Sequence, residues 1–379
     1  MRSTLALLAT FALTVPLTGC FFVQNGGTGG AGGSGGNTTQ ADVKQYDDLR
    51  AELDQHRSMF LKAGASDLTG IGSKLFWLEF PTYSPTLHAF DTTTNAVVNY
   101  GFSIGTADDY NFRASEDLVV RAEVTGGNIV YHAFAVGQAN DELGSFALAP
   151  PSDEQKWWAY APDHSDVYVV TTGAETKLLK WTVGQEAPTE VLTFEKIGIQ
   201  VGEFWDFGVD QGKLVLIESG RIWSVDLATQ KPTWLGNKTE ADGAWWDAKG
   251  VLYESASGPF FFDYATQKTT DVGKAIERSD FEINKTFSTS HLYDGSSSPS
   301  LARLGQHVGY TAESGIFTYD LDAGEVRPML LDARDDSMVY ASPVFLDDGS
   351  VFVKGLVSSD GAIGADGPVY RVDFQFSSP

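Results

Sequence analysis

Two hydrophobic rhythms divide the chain. Between Gln40 and Gly64, apolar residues return at helical intervals: Val43, Tyr46, Leu49, Leu53 and Phe60 stand three, three, four and seven positions apart. That spacing puts them on one face of a helix of 3.6 residues per turn. Thr39 and Asp42 have the spacing of a capping box, Lys62 falls in the last turn, and Gly64 supplies a stop. Glycine ends helices because it enters the left-handed conformation without steric cost. The pattern predicts a helix over 41–63, with His56 at its edge. From Ser66 onward the rhythm changes to short runs of Val, Ile, Leu, Phe, Trp and Tyr separated by Gly, Asp, Asn and Pro. Such runs are too short and too closely punctuated for helices, and read as an all-β domain over 64–379.

The strand-and-turn units repeat. LHAFDTTTNAV (87–97), YHAFAVGQANDEL (131–143), LKWTVGQEAPTEV (179–191), IWSVDLATQKPTWL (222–235), FFFDYATQKTTDV (260–272), IFTYDLDAGEVRPM (316–329) and VYRVDF (369–374) share one anchor position, at 91, 135, 182, 226, 263, 320 and 373. The anchors are 37 to 57 residues apart, averaging 47, which is the length of one four-stranded propeller blade. DLATQK at 226–231 recurs as DYATQK at 263–268, and HAF at 88–90 recurs at 132–134. YAPDHSDVYVV and ASPVFLDDGSVFV resemble the strand, Pro-Asp-Gly, strand repeats of TolB-type propellers. The resemblance implies a seven-bladed β-propeller and nothing about activity. Trp157, Trp158, Trp205, Trp245 and Trp246 are expected as wedges between blades. No strand follows the last unit, so closure predicts a three-stranded last blade or a strand lent from around Asp67–Gly72.

The N-terminus reads as an address. Arg2 precedes an apolar run from Leu5 to Leu17, too short to span a bilayer, and the run ends in Leu17-Thr18-Gly19-Cys20. This tetrapeptide resembles the lipobox of bacterial lipoproteins, and Cys20 is the one cysteine of the chain. The resemblance implies a signal peptide over 1–19, acylation of Cys20 and anchoring to a membrane through its acyl chains. Phe21 stands where that family carries Asp for retention at the inner membrane, which points to the outer membrane of a cell envelope. Residues 26–36, GGTGGAGGSGG, offer almost no side chains that could pack, so 20–40 is expected to be a flexible tether.

Composition narrows the partners. With 26 Lys and Arg against 50 Asp and Glu, the net charge is −24. Such a field repels nucleic-acid backbones and anionic lipid, so no nucleic-acid partner is expected. One cysteine excludes an internal disulfide framework. No nucleophile elbow, HExxH pair, phosphate loop or EF-hand ladder is present. His88 and His132 hold equivalent repeat positions, which descent from one unit explains without ligation.

Longer, irregular connections carry the candidate binding residues: Asp108, Asp109 and Tyr110 in 103–115; Asp280, Glu282, His291, Tyr293 and Asp294 in 274–298; Asp335 and Asp336 in the run from Asp332; and Lys354, Asp360 and Asp366 in 354–367. A solvated acidic surface accounts for such loops, and so does a binding face. Convergent carboxylates there would suit Ca²⁺, although no cofactor is required by any motif. The leading expectation is an anchored platform for an envelope protein partner. The alternatives are an enzyme of the propeller lactonase, lyase or glycosidase kind, and a polysaccharide-binding module. No catalytic residue is assigned.

Overall fold

The computed structural model describes residues 40–62, 64–79, 86–103, 112–125, 127–137, 141–149, 160–171, 173–201, 204–218, 220–237, 244–246, 249–255, 258–277, 301–304, 307–312, 315–333, 337–359, 362–363 and 367–375. Helix α1 spans Gln40–Leu53, and β1, Arg57–Leu61, follows it after one 3-10 turn. Four-stranded antiparallel sheets then succeed one another along the chain. Blade 1 holds β2 (Ala65–Ile71), β3 (Lys74–Glu79), β4 (Thr86–Asp91) and β5 (Ala96–Ser103); blade 2 holds β6 (Phe112–Ala114), β7 (Leu118–Thr125), β8 (Asn128–Ala135) and β9 (Glu142–Leu148). Blade 3 consists of β10 (Tyr160–Asp163), β11 (Asp166–Thr171), β12 (Lys177–Thr182) and β13 (Thr189–Thr193); blade 4 of β14 (Phe204–Asp210), β15 (Lys213–Glu218), β16 (Arg221–Asp226) and β17 (Lys231–Asn237). Blade 5 consists of β18 (Ala244–Trp246), β19 (Gly250–Ser255), β20 (Gly258–Asp263) and β21 (Lys268–Asp271), after which comes α2 (Val272–Glu277). Blade 6 consists of β22 (Leu301–Leu304), β23 (His307–Ala312), β24 (Gly315–Asp320) and β25 (Val326–Leu331). Blade 7 joins β26 (Met338–Phe345), β27 (Val351–Ser359), β29 (Val369–Val372) and, outermost, β1; the short β28 (Ala362–Ile363) pairs with the end of β27. The fold is a seven-bladed β-propeller.

Burial on both faces explains the near-continuous apolar runs of the second strands. In β15, Leu214 and Leu216 pack toward blade 3 with Tyr168, Leu178 and Phe194, while Val215 packs toward blade 5 with Val251 and Tyr253. A period of two thus serves two interfaces at once. One apolar cluster fills each of the seven junctions between neighbours, including that of blade 7 with blade 1, where Val344, Leu346 and Phe352 meet Leu75, Trp77 and Phe90. At that junction Gly70 has no room for a Cβ, which would lie 2.6 Å from Val344 Cγ1.

The repeat anchors stand at or beside the ends of the third strands. Their physical content is a turn. Asp226 Oδ1 accepts hydrogen bonds from Thr229 N and Oγ1 at 2.9 Å, and Asp263 Oδ1 accepts from Thr266 N at 2.7 Å. Asp91 does the same for Thr93, and Asp320 for Asp322 and Ala323. Gln230 and Gln267 then take φ of 55° and 57°, reversing the chain into the fourth strand. The recurring DxATQK is therefore a turn, built from an Asp acceptor and a left-handed residue.

Closure differs from both expectations. The helix predicted over 41–63 ends at Leu53, and the closing strand is β1. Arg57 pairs with Val372, Ser58 with Arg371 and Met59 with Tyr370. Residues 67–71 belong instead to β2, the inner strand of blade 1. The physical reason is the open edge of β29: its main-chain groups gain partners from 57–61, a benefit that further helical turns would forgo.

Phe60 faces inward and touches Trp77, Phe90 and Phe352 at ring-centroid distances of 5.8, 4.8 and 5.0 Å. Gly64, at φ 89°, stands just before β2 rather than at the end of a helix. Helix α1 packs Tyr46, Leu49 and Leu53 on the junction of blades 5 and 6. Tyr46 Oη donates to the carbonyl of Asp332 at 3.0 Å, and the Arg57 guanidinium lies 4.4 and 5.3 Å from the ring centroids of Tyr370 and Tyr340. No helix among the described residues is long and apolar enough to cross a membrane.

Among the described residues the large fully buried tryptophans are Trp77 and Trp181. Trp157 and Trp158 lie outside the described residues, while Trp205, Trp245 and Trp246 are placed on the inner strands β14 and β18.

Candidate functional site

Antiparallel order gives each blade two ends. The turns joining first to second and third to fourth strands share one end, and they touch from blade to blade: Asp347 N donates to Gly72 O at 2.8 Å, and His164 Nδ1 lies 3.0 Å from Asp117 Oδ2. Connections between second and third strands, and from one blade to the next, leave from the opposite end.

By this topology the three loops singled out from the sequence, with the run after Asp332, are connections of that second end. The first joins β5 to β6, the second α2 to β22, the run after Asp332 joins β25 to β26, and the last joins β27 to β29. The candidate residues themselves, Asp108, Asp109, Tyr110, Asp280, Glu282, His291, Tyr293, Asp294, Asp335, Asp336, Asp360 and Asp366, lie outside the described residues, as does Cys20.

The described members of these loops have structural work. Asp332 is buried, and its Oδ1 accepts from Tyr340 N at 2.8 Å while its carbonyl receives Tyr46. Lys354 is buried within β27.

The two equivalent histidines are held alike. His88 Nε2 lies 3.4 Å from Glu79 Oε2, and its ring stacks on Trp77 at 5.3 Å. His132 Nδ1 lies 3.0 Å from Glu142 Oε1, and Nε2 lies 3.3 Å from Glu123 Oε1 without the alignment of a hydrogen bond. Arg121 Nη2 donates to Glu123 Oε2 at 2.5 Å, so the blade 2 cluster already contains its own cation. Burial would raise the Glu123 carboxyl, but the charges of Arg121 and His132 outweigh it and hold the group below the usual carboxylate range. Hydrogen bonding from His132 lowers Glu142 in the same way. Bonding to Asp117 raises the His164 imidazole.

On blade 4 the fully buried Glu218 is matched by Arg221 Nε at 2.7 Å and by Trp223 Nε1 at 3.1 Å. Among the described residues no group of three or more His, Cys, Asp or Glu is arranged to hold a metal ion. These pairs fasten neighbouring strands.

Sequence reasoning overlooked the outer rim. Trp234 on β17 and Met59 on β1 are exposed large side chains, as are Val97 on β5 and Leu143 on β9. The signal available in the sequence was the content of each fourth strand, where charged residues and proline guard some edges and are missing from another.

These features define a closed β-propeller with short turns on one face and the blade-to-blade connections on the other. No protein-family model matches the chain, and no curated protein does. Among solved structures it is similar to BamB from Moraxella catarrhalis, with 14% identity, 82% of this chain and 84% of that one covered, and a TM-score of 0.40. It is also similar to an oligogalacturonate lyase in complex with manganese (9% identity, 80% and 88% covered, TM-score 0.47) and to apo AztD from Citrobacter koseri (13% identity, 70% and 84% covered, TM-score 0.43). At these identities the likeness is one of fold alone.

Proposed function

We propose that the protein is a lipid-anchored component of the cell envelope, acylated at Cys20, whose propeller serves as a binding platform for another protein. The observation that carries this reading is the way the N-terminal segment enters the ring. Tyr46 is pinned beside Asp332, where the chain leaves β25 of blade 6, and Asp373 N, just past β29 of blade 7, donates to the carbonyl of His56 at 2.7 Å. The segment from α1 through β1 is thus an integral part of the rigid body, and anything attached ahead of Gln40 holds the propeller itself. A closed ring of this kind presents long connections on a stiff frame, which lowers the ordering cost of binding.

Cys20→Ser removes the one acceptor thiol and is expected to abolish incorporation of a clickable fatty acid; label persisting in the variant overturns the anchor. Pull-down from detergent-solubilised envelopes tests the platform, and repeated recovery of the protein alone overturns it. The variant His291→Ala, Tyr293→Ala, Asp294→Ala is expected to lose the partner while its stability stays within ~0.5 kcal/mol, as for surface changes remote from packing.

A further inference from the structure

The fourth strand of every propeller blade is an open edge, with main-chain N–H and C=O groups that can pair with a foreign strand unless something blocks them. Six of the seven outer strands here carry a guard. Arg57 stands in β1, Glu142 in β9 and Glu190 in β13; β17 has Lys231 and Pro232, β21 has Lys268 and Asp271, and β25 has Arg327 and Pro328. β5 reads AVVNYGFS, with neither proline nor charge, and at eight residues it is the longest of the set.

Its first half is also regular. Ala96, Val97, Val98 and Asn99 pair in unbroken register with Asp91, Phe90, Ala89 and His88, and the register shifts only beyond them. Val97 is 57% exposed, and Ala96 and Asn99 are exposed beside it. The strand is held in place from within, because the buried Tyr100 accepts a hydrogen bond through its hydroxyl from Gly137 N of blade 2 at 3.1 Å. An edge that is regular over Ala96–Asn99, free of charge and proline, and carries an exposed apolar side chain has properties that strand addition requires.

We propose that β5 is a strand-addition site that receives an extended segment of a partner polypeptide carrying apolar residues flanked by Lys or Arg. This rests on the binding-platform reading and names its surface. The charge of the chain selects the occupant: at −24, two copies repel one another, whereas a cationic segment is drawn in. Main-chain pairing supplies the contact, and Val97 offers the apolar surface that alternate partner residues cover.

The test uses the full chain and, as probe, a fluorescein-labelled octapeptide, Lys-Val-Thr-Val-Thr-Val-Lys-Lys. Wild type is expected to bind it saturably, with affinity falling as salt rises. Val97→Lys, which places a cation on the edge, is expected to weaken binding at least tenfold with no change in the denaturant midpoint. Val97→Thr, which keeps a β-branched side chain without charge, is expected to retain binding, which separates the effect of the added cation from the loss of valine. The proposal is overturned by absence of saturable binding to wild type, or by equal binding to wild type and Val97→Lys. A wild-type dimer that Val97→Lys converts to monomer in sedimentation would assign the edge to a second copy and overturn the cationic partner. In envelope pull-downs, equal recovery of a partner by wild type and Val97→Lys removes β5 from the interface while leaving the platform standing. Recovery of nothing by wild type removes the platform itself.

Discussion

Phe60→Ala, set against Met59→Ala, tests whether the N-terminal strand closes the ring. The two residues are neighbours on β1 and point to opposite sides: Phe60 meets three aromatic rings across the junction of blades 7 and 1, while Met59 is 60% exposed. An aromatic side chain removes ~150 Å² or more from water when it is buried. At ~25 cal/mol per Å² the partly buried Phe60 contributes about 3 kcal/mol, and truncation also leaves a cavity among rings that cannot follow it. The expected loss is therefore ~2–4 kcal/mol for Phe60→Ala and under ~0.5 kcal/mol for Met59→Ala. Urea unfolding followed by tryptophan fluorescence reads both, and deletion of 26–36 in the same assay is expected to leave the midpoint where it was. If Phe60→Ala unfolds like wild type, or if Met59→Ala costs as much, β1 does not carry the closure and the strand assignment for 57–61 fails. The experiment is informative because the same residue was expected, from its spacing with Leu53, on a helix face.

Other outcomes follow from the turns and the junctions. Asp226 is held at about 2 by its bond from Lys213 Nζ and by Thr229, below the ordinary Asp value of about 3.9, so its contribution is present above that ordinary value and is lost as pH falls from about 4 toward 2. Asp226→Asn keeps an acceptor for the turn but loses the charge; it is expected to reduce stability by ~1 kcal/mol at pH 6, after allowance for solvent screening, and by almost nothing at pH 2, as measured by urea midpoints at the two pH values. Gly309→Ala would place a Cβ 2.3 Å from the Phe345 ring, so a loss of ~1–3 kcal/mol is expected from overpacking between blades 6 and 7, whereas Gly212→Ala, with open space but φ of 75°, should lose ~1 kcal/mol from backbone strain alone.

Particular residues show how far the sequence could be read. The anchor positions were legible because a turn of this kind needs an acceptor at one place and a left-handed residue four positions later, and Asp226 with Gln230 and Asp263 with Gln267 satisfy that need in nearly the same letters. Strand pairing at a distance leaves no such local trace. RSMFL is as compatible with a last helical turn as with a strand, and what decides is β29, more than 300 residues away, whose free edge 57–61 completes. The candidate loops were legible as connections, and the topology assigns them to one end of the blades, yet whether their carboxylates approach one another depends on contacts that spacing does not encode.

The same reasoning indicates where function is to be sought in a repeated fold. A feature that recurs among the blades, such as the Asp-centred turn of blades 1, 4, 5 and 6, is explained by the requirement to build similar sheets. A departure from the repeat has no such explanation. The unguarded β5 is one: a strand whose six counterparts carry charge or proline has been left free of both at the position where Val97 reaches solvent. An open edge invites unwanted pairing. The contrast with six guarded strands argues that pairing at β5 has a use, and the response of binding to Lys and to Thr at position 97 measures that use directly.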